Sequence, residues 1–179
     1  MDDLVEQNGI TYKKFTEGPF TGQVDEGREQ GSFQNGLREG VWVSYRTSGL
    51  LKEKGNFKNG KIDGPWMSYH ENGQLRNKGD FKNDEKEGSW VNYYENGQIS
   101  EEAFYKNGKN AGSWAVYYEN GQLRNNGELH EMVDGAFTTQ GLYVSYYENG
   151  QLEQKGDIKN GKKEGSWVGF LADGSVDEK

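Results

Sequence analysis

Apolar and polar residues alternate along this chain in short runs, with none of the sustained i, i+3, i+4 spacing of an amphipathic helix. Pro65-Trp66-Met67-Ser68-Tyr69-His70 is one such run, and Gln74-Leu75 opens another that reaches Phe81. Side chains of a strand point to opposite faces in turn, so this alternation predicts β-strands. The runs are punctuated by Asn-Gly pairs such as Asn59-Gly60 and Asn72-Gly73. Asn-Gly between alternating runs is a strong hairpin signal, because both residues tolerate φ > 0. The predicted fold class is all-β, a single elongated antiparallel meander of about a dozen strands.

The runs recur. Gly55, Gly79 and Ala103 each open a unit of 24 residues, and the three units can be laid one on another almost position for position. A β-hairpin solenoid follows, with residues 31–54, 55–78, 79–102, 103–126, 127–155 and 156–176 as its six repeats. Residues 1–30 form an N-terminal cap with a degenerate repeat, and 177–179 a tail. The fifth repeat is stretched by an insertion between His130 and Gln140.

Position within the repeat assigns a face. Val43, Met67, Val91, Ala115, Val144 and Val168 share parity with Tyr45, Tyr69, Tyr93, Tyr117, Tyr146 and Phe170. On the returning strand Leu51, Leu75, Ile99, Leu123 and Leu152 share parity with Phe57, Phe81, Tyr105, Leu129 and Ile158. These sets are expected to make the core together. The opposite parity holds Trp42, Trp66, Trp90, Trp114, Tyr143 and Trp167, read as structural aromatics of the repeat that stack across strands or turn inward at a bulge. It also holds His70, Tyr94, Tyr118 and Tyr147, expected as an exposed stripe that contacts a partner.

A specific partner should also use what breaks the repeat. Met132 and Phe137 in the insertion are therefore candidate contacts, although a looped-out accommodation explains the insertion equally well. Glu71, Glu95, Glu119 and Glu148 precede one set of turns, and Asp63, Glu87 and Glu164 mark the other. They read either as a solvated rim or as an acidic track for a basic partner, interrupted by Lys58, Lys82, Lys106 and Lys159.

Composition narrows the function. Hydrophobic residues are only 31% of the 179, yet the chain carries 5 Trp, 11 Tyr and 8 Phe, more rings than a disordered segment would. The net charge of -8 works against nucleic acid and anionic membrane surfaces and favours a protein with a basic surface. Cysteine is absent, and the two histidines, His70 and His130, sit in different repeats, so no metal site or cofactor is expected. Carboxylates recur once per repeat, which marks architecture and not an acid/base pair, so no catalytic residue is expected. The opening residues lack the basic and apolar regions of a signal peptide, which points to a cytoplasmic protein, or to a periplasmic or secreted one if the leader has been trimmed.

The pattern G-x-F-K-N-G-x-x-x-G-x-W-x-x-Y-x-E-N-G-Q-L resembles MORN-type repeats, in particular a bacterial variant rich in YYENGQL. Asp84 for Gly, Ala103 for Gly, Tyr143 for Trp and the insertion depart from it. The resemblance implies a non-catalytic hairpin array used for protein interaction, with an antitoxin or immunity-like protein that neutralises a partner toxin as its specific form. Two alternatives stay open at this point. One is a repeat that binds cell-wall carbohydrate, choline or lipid head groups through its rings; the other is a passive scaffold.

Overall fold

A computed structural model describes residues 3–131 and 137–177, with side chains placed for 3–128 and 140–177. The chain divides into two compact units, Met1–Glu85 and Lys86–Lys179. In the first, β1 (Leu4–Gln7) and β2 (Ile10–Lys13) pair as a small separate sheet. A meander follows: β3 (Gly22–Val24), β4 (Glu29–Gln34), β5 (Leu37–Tyr45), β6 (Leu51–Lys58), β7 (Lys61–Tyr69) and β8 (Leu75–Lys82). The second unit starts one residue into β9 (Glu85–Tyr93) and continues through β10 (Ile99–Lys106), β11 (Lys109–Tyr117), β12 (Leu123–Glu131), β13 (Phe137–Tyr146), β14 (Leu152–Lys159), β15 (Lys162–Phe170) and β16 (Val176–Asp177). From β3 to β8 and from β9 to β16, strands adjacent in sequence are antiparallel neighbours in the sheet. The fold is an all-β meander of tandem hairpins. It has more strands than the alternation predicts, because the N-terminal hairpin and the short strands β3 and β16 add to the repeat.

Two turns alternate, and they are not alike. At Asn59-Gly60 both residues are left-handed, with φ of 51° and 80°, and Lys58 pairs with Lys61. That is the two-residue turn that Asn-Gly predicts. At Glu71-Asn72-Gly73 only Gly73 is left-handed, with φ of 84°. There the His70 N–H donates to the Gln74 carbonyl and the Gly73 N–H to the His70 carbonyl, which makes a three-residue loop. Asn72 serves by its side chain instead: its Oδ1 accepts from the Gln74 N–H at 3.0 Å.

The core lies on the Trp face, not on the face expected. Trp42 and Trp90 are 5% and 3% exposed, and Phe57, Ala103 and Ala111 are buried with them. Trp42 pairs with Gly55, two residues before Phe57, so Trp and Phe share a face. Their rings pack edge to face, Trp42 at 4.9 Å from Phe33 and 6.1 Å from Phe57, and Trp66 at 5.8 Å from Phe81. The parity argument fails at the three-residue loop. Ser44 pairs with Glu53 but Tyr45 pairs with Leu51, so one extra residue on β6 moves Leu51 to the Val/Tyr side while Phe57 stays with Trp42. The same shift occurs at Ser68/Tyr69, Val116/Tyr117 and Ser145/Tyr146. The Val/Tyr face is left partly open, with Met67 and Val168 exposed.

Glycine in the strands has a steric cause. A Cβ at Gly31, Gly55 or Gly156 would enter the ring of Trp42, Trp66 or Trp167, each lying over the glycine of the strand before it. Ala103 already carries that Cβ opposite Trp114, and Trp114 lies instead over Gly127 on the strand after it. Cations cover the rings at the edge. Lys86 Nζ sits 4.3 Å from the Trp90 centroid and 4.7 Å from that of Tyr105, and burial holds its pKa below the ordinary lysine value against the opposing pull of Glu101.

Candidate functional site

The row expected as an exposed stripe is half-buried and ties repeats together. The Tyr94 hydroxyl donates to the Tyr117 carbonyl at 2.7 Å, Tyr118 to Tyr146 at 2.9 Å and Tyr147 to Phe170 at 2.9 Å. In the first unit Arg46 holds the same repeat position and donates to the Tyr69 carbonyl at 2.7 Å. His70 occupies that position in the next repeat and is also half-buried. A side chain that reaches back to the backbone of its neighbour offers a partner only the part of its ring left in solvent. These residues form a clasp.

The Glu-Asn-Gly-Gln phrase completes it. Asn96, Asn120 and Asn149 donate from Nδ2 to the carbonyls of Glu119, Glu148 and Ala172 at 2.8, 2.9 and 2.8 Å. Each Oδ1 accepts from its own Gln N–H, at 2.9 Å for both Gln98 and Gln122 and 3.0 Å for Gln151. Gln98 Oε1 would stand 3.0 Å from a Cβ at Gly121, so the glycine serves both a left-handed φ of 84° and a close approach. The acids of the other turn are also occupied. Glu39 and Glu87 accept the backbone N–H of Asn59 and Asn107 at 2.8 and 2.9 Å, and Asp63 accepts that of Asn83 at 3.4 Å. Of the acids expected as a track at this turn, Asp63 and Glu87 are thus engaged in turn-holding contacts, and Glu164 pairs with Lys159 at 3.6 Å.

Of the insertion residues, Met132 lies outside the described residues and so does the side chain of Phe137. The sheet places another irregularity beside it. On the outer face of the second unit Val91, Glu102, Ala115, Asn126 and Val144 stand opposite one another across β9 to β13. Ser89 and Phe104 pair in the adjacent row, as do Ser113 and Glu128, with Leu142 two residues before Val144 on the same side. All of these but Val144 line an open recess of about 470 Å³. Phe104 is 43% and Leu142 59% exposed; Phe104 is apolar where the other repeats place polar residues such as Asp80, and Leu142 stands where three repeats place serine and the first unit places Val41 and Pro65. Ala115 is the smallest residue in a column otherwise filled by Val or Met, and this deepens the floor.

Carboxylates border the recess at Glu102 and Glu128. Glu102 accepts the Tyr117 hydroxyl at 2.8 Å, and Tyr117 is raised above its ordinary pKa by burial first and then by that bond and the Glu102 charge. The recess combines an apolar floor with negative walls. Among the described residues no three His, Asp or Glu side chains gather as metal ligands. Sequence reasoning missed this site, although Phe104 and Ala115 were visible as misfits once strand positions are aligned.

A family model described as MORN repeat variant matches residues 38–59, 62–83, 86–107, 112–131 and 139–160. Each match spans one ring-bearing strand and the strand that returns from it. No curated protein matches the chain. Five tandem matches, over more than half of the residues and in step with the hairpins, place the chain in the MORN repeat variant family.

Proposed function

We propose that this protein is a non-catalytic protein-binding array, and that the outer-face recess of its second unit receives a partner segment carrying an apolar side chain next to lysine or arginine. The observation that carries this reading is the convergence of two departures from the repeat, Phe104 and Ala115, and the exposed Leu142 around one opening. A repeat conserves its volume for packing, so departures that leave large apolar groups in solvent are not explained by the fold. Glu102 and Glu128 favour a cationic neighbour to the anchor, in keeping with the chain's net charge of -8. In its specific form the partner is a toxin domain that the chain covers and neutralises, an antitoxin or immunity-like role. MORN repeats belong to proteins that engage other proteins or lipids, and the acidic walls favour the first.

The test pairs capture with substitution. A protein retained by the purified chain should be lost on Leu142→Asp or Ala115→Met and kept on Val41→Asp, an equally exposed position in the first unit. The captured protein should arrest growth when produced alone and not when produced with this chain. Equal capture by all three variants would remove the recess from the reading, and a harmless captured protein would remove the antitoxin role.

A further inference from the structure

Asn-Gly is the dipeptide most prone to cyclise, since the glycine N–H is unhindered and can attack the preceding Asn side chain. The chain contains it ten times. Attack by the deprotonated Gly nitrogen on the Asn Cγ forms a five-membered succinimide and expels the side-chain nitrogen as ammonia. Water then opens the ring at either carbonyl, giving aspartate or isoaspartate, the latter with the main chain rerouted through Cβ. The reaction requires a glycine nitrogen free to lose its proton and an Asn side chain free to turn onto it.

The fold withholds both at the clasp. The Gly97, Gly121 and Gly150 N–H groups donate to the carbonyls of Tyr94, Tyr118 and Tyr147 at 3.0, 2.9 and 2.9 Å, and both amide atoms of each preceding Asn are bound. At two of the two-residue turns the nitrogen is held from across the repeat, Gly60 by the Arg38 carbonyl at 2.9 Å and Gly108 by that of Lys86 at 3.0 Å. Asn8-Gly9 joins the four-residue strands β1 and β2, and both residues are exposed. Among the described residues no hydrogen bond reaches the Gly9 N–H or the Asn8 side chain, and a Cβ at Gly9 would meet nothing within 4 Å.

We infer that Asn8 is a site of spontaneous modification, converting to aspartate and isoaspartate while the clasp asparagines stay intact. Isoaspartate lengthens the backbone of a two-residue turn by one carbon and opens the β1–β2 hairpin, and each conversion adds a negative charge. The intact protein, incubated at 37 °C and mildly alkaline pH, is digested and mapped by mass spectrometry for acid and isoaspartyl products. Conversion at Asn8 should run at least about tenfold faster than at Asn96, Asn120 or Asn149, and the difference should collapse in urea, where local protection is gone. An Asn8→Gln variant should lose the fast product and keep the slow ones. Equal folded-state rates at all four positions, a clasp position reacting first, or no conversion at Asn8 in the time the denatured chain converts would each overturn the inference. The recess plays no part in it, so its outcome is independent of the partner.

Discussion

A single missing methyl decides how each indole lies. Trp66 rests where a side chain at Gly55 would be, so Gly55→Ala forces the ring off its glycine. The expected cost is about 1–3 kcal/mol, the range for an extra methyl in a filled site, read as a lower urea midpoint at unchanged slope. Trp90, at 3% exposure, should cost about 3–5 kcal/mol on replacement by alanine. A loss within about half a kcal/mol would mean that the Trp face is not the core. Charge acts at the same scale through Tyr117. Its folded pKa lies above the ordinary tyrosine value because burial and the bond to Glu102 favour the neutral phenol. A raised folded pKa gives stability that is complete below the unfolded pKa and lost as pH rises through the folded one. The urea midpoint should therefore fall above about pH 10. Tyr117→Phe should flatten that fall without abolishing it, because burial and Glu101 raise Tyr105 in the same direction. An alkaline limb unchanged in Tyr117→Phe would show that the phenol gives up its bond to Glu102 at no cost.

At the scale of the hairpin, one asparagine does the work of two connections. Asn120→Ala removes the acceptor of the Gln122 N–H and the donor to the Glu148 carbonyl. With roughly 0.5–1.5 kcal/mol for each net hydrogen bond, the variant should lose about 1–3 kcal/mol. Tyr118→Phe removes one donor and should lose about 1 kcal/mol by the same estimate, with its ring packing kept. Losses within error of zero in both would make the clasp geometry without consequence for stability. The clasp also shows what a sequence can convey. The repeat length, the hairpins and the two-residue Asn-Gly turn were all legible, because each rests on residues adjacent in the chain. Loop length was not, and it decides whether Asn72 takes a left-handed φ or binds through its side chain. The one-residue bulge after each such loop followed unseen, and simple alternation carried across it put Leu51 and Phe57 on one face. Tyr94 and Tyr118 misled for a related reason: their acceptors are carbonyls of the next repeat, which no local pattern marks.

Across the second unit, the Tyr hydroxyl and Asn Nδ2 bonds of the clasp each join a repeat to its immediate neighbour, and among the described residues no side chain is less than 2% exposed. Stability in such an array is close to a sum of repeat and nearest-neighbour terms, with no deep common core to make it all-or-none. The recess follows from the same economy. A column of the repeat can drift to Ala115 or Phe104 without unseating its neighbours on the Trp face, so an open apolar recess arises where packing demands least. That is why the recess can be read in the sequence only as misfits within aligned columns, whereas the rings singled out by their regularity are half-buried and bonded to the backbone of the next repeat. Local coupling makes a prediction that a globular domain would not. Asn149→Ala cuts the bond from that turn to the Ala172 carbonyl. Amide exchange should then quicken in β15 and β16, whose attachment it weakens, while β10 and β11 keep their protection. A uniform acceleration through all strands from β10 to β16 would show one cooperative body. The misfits around the recess would then have to be tolerated by the whole unit, and the account of how the surface arose would fall with it.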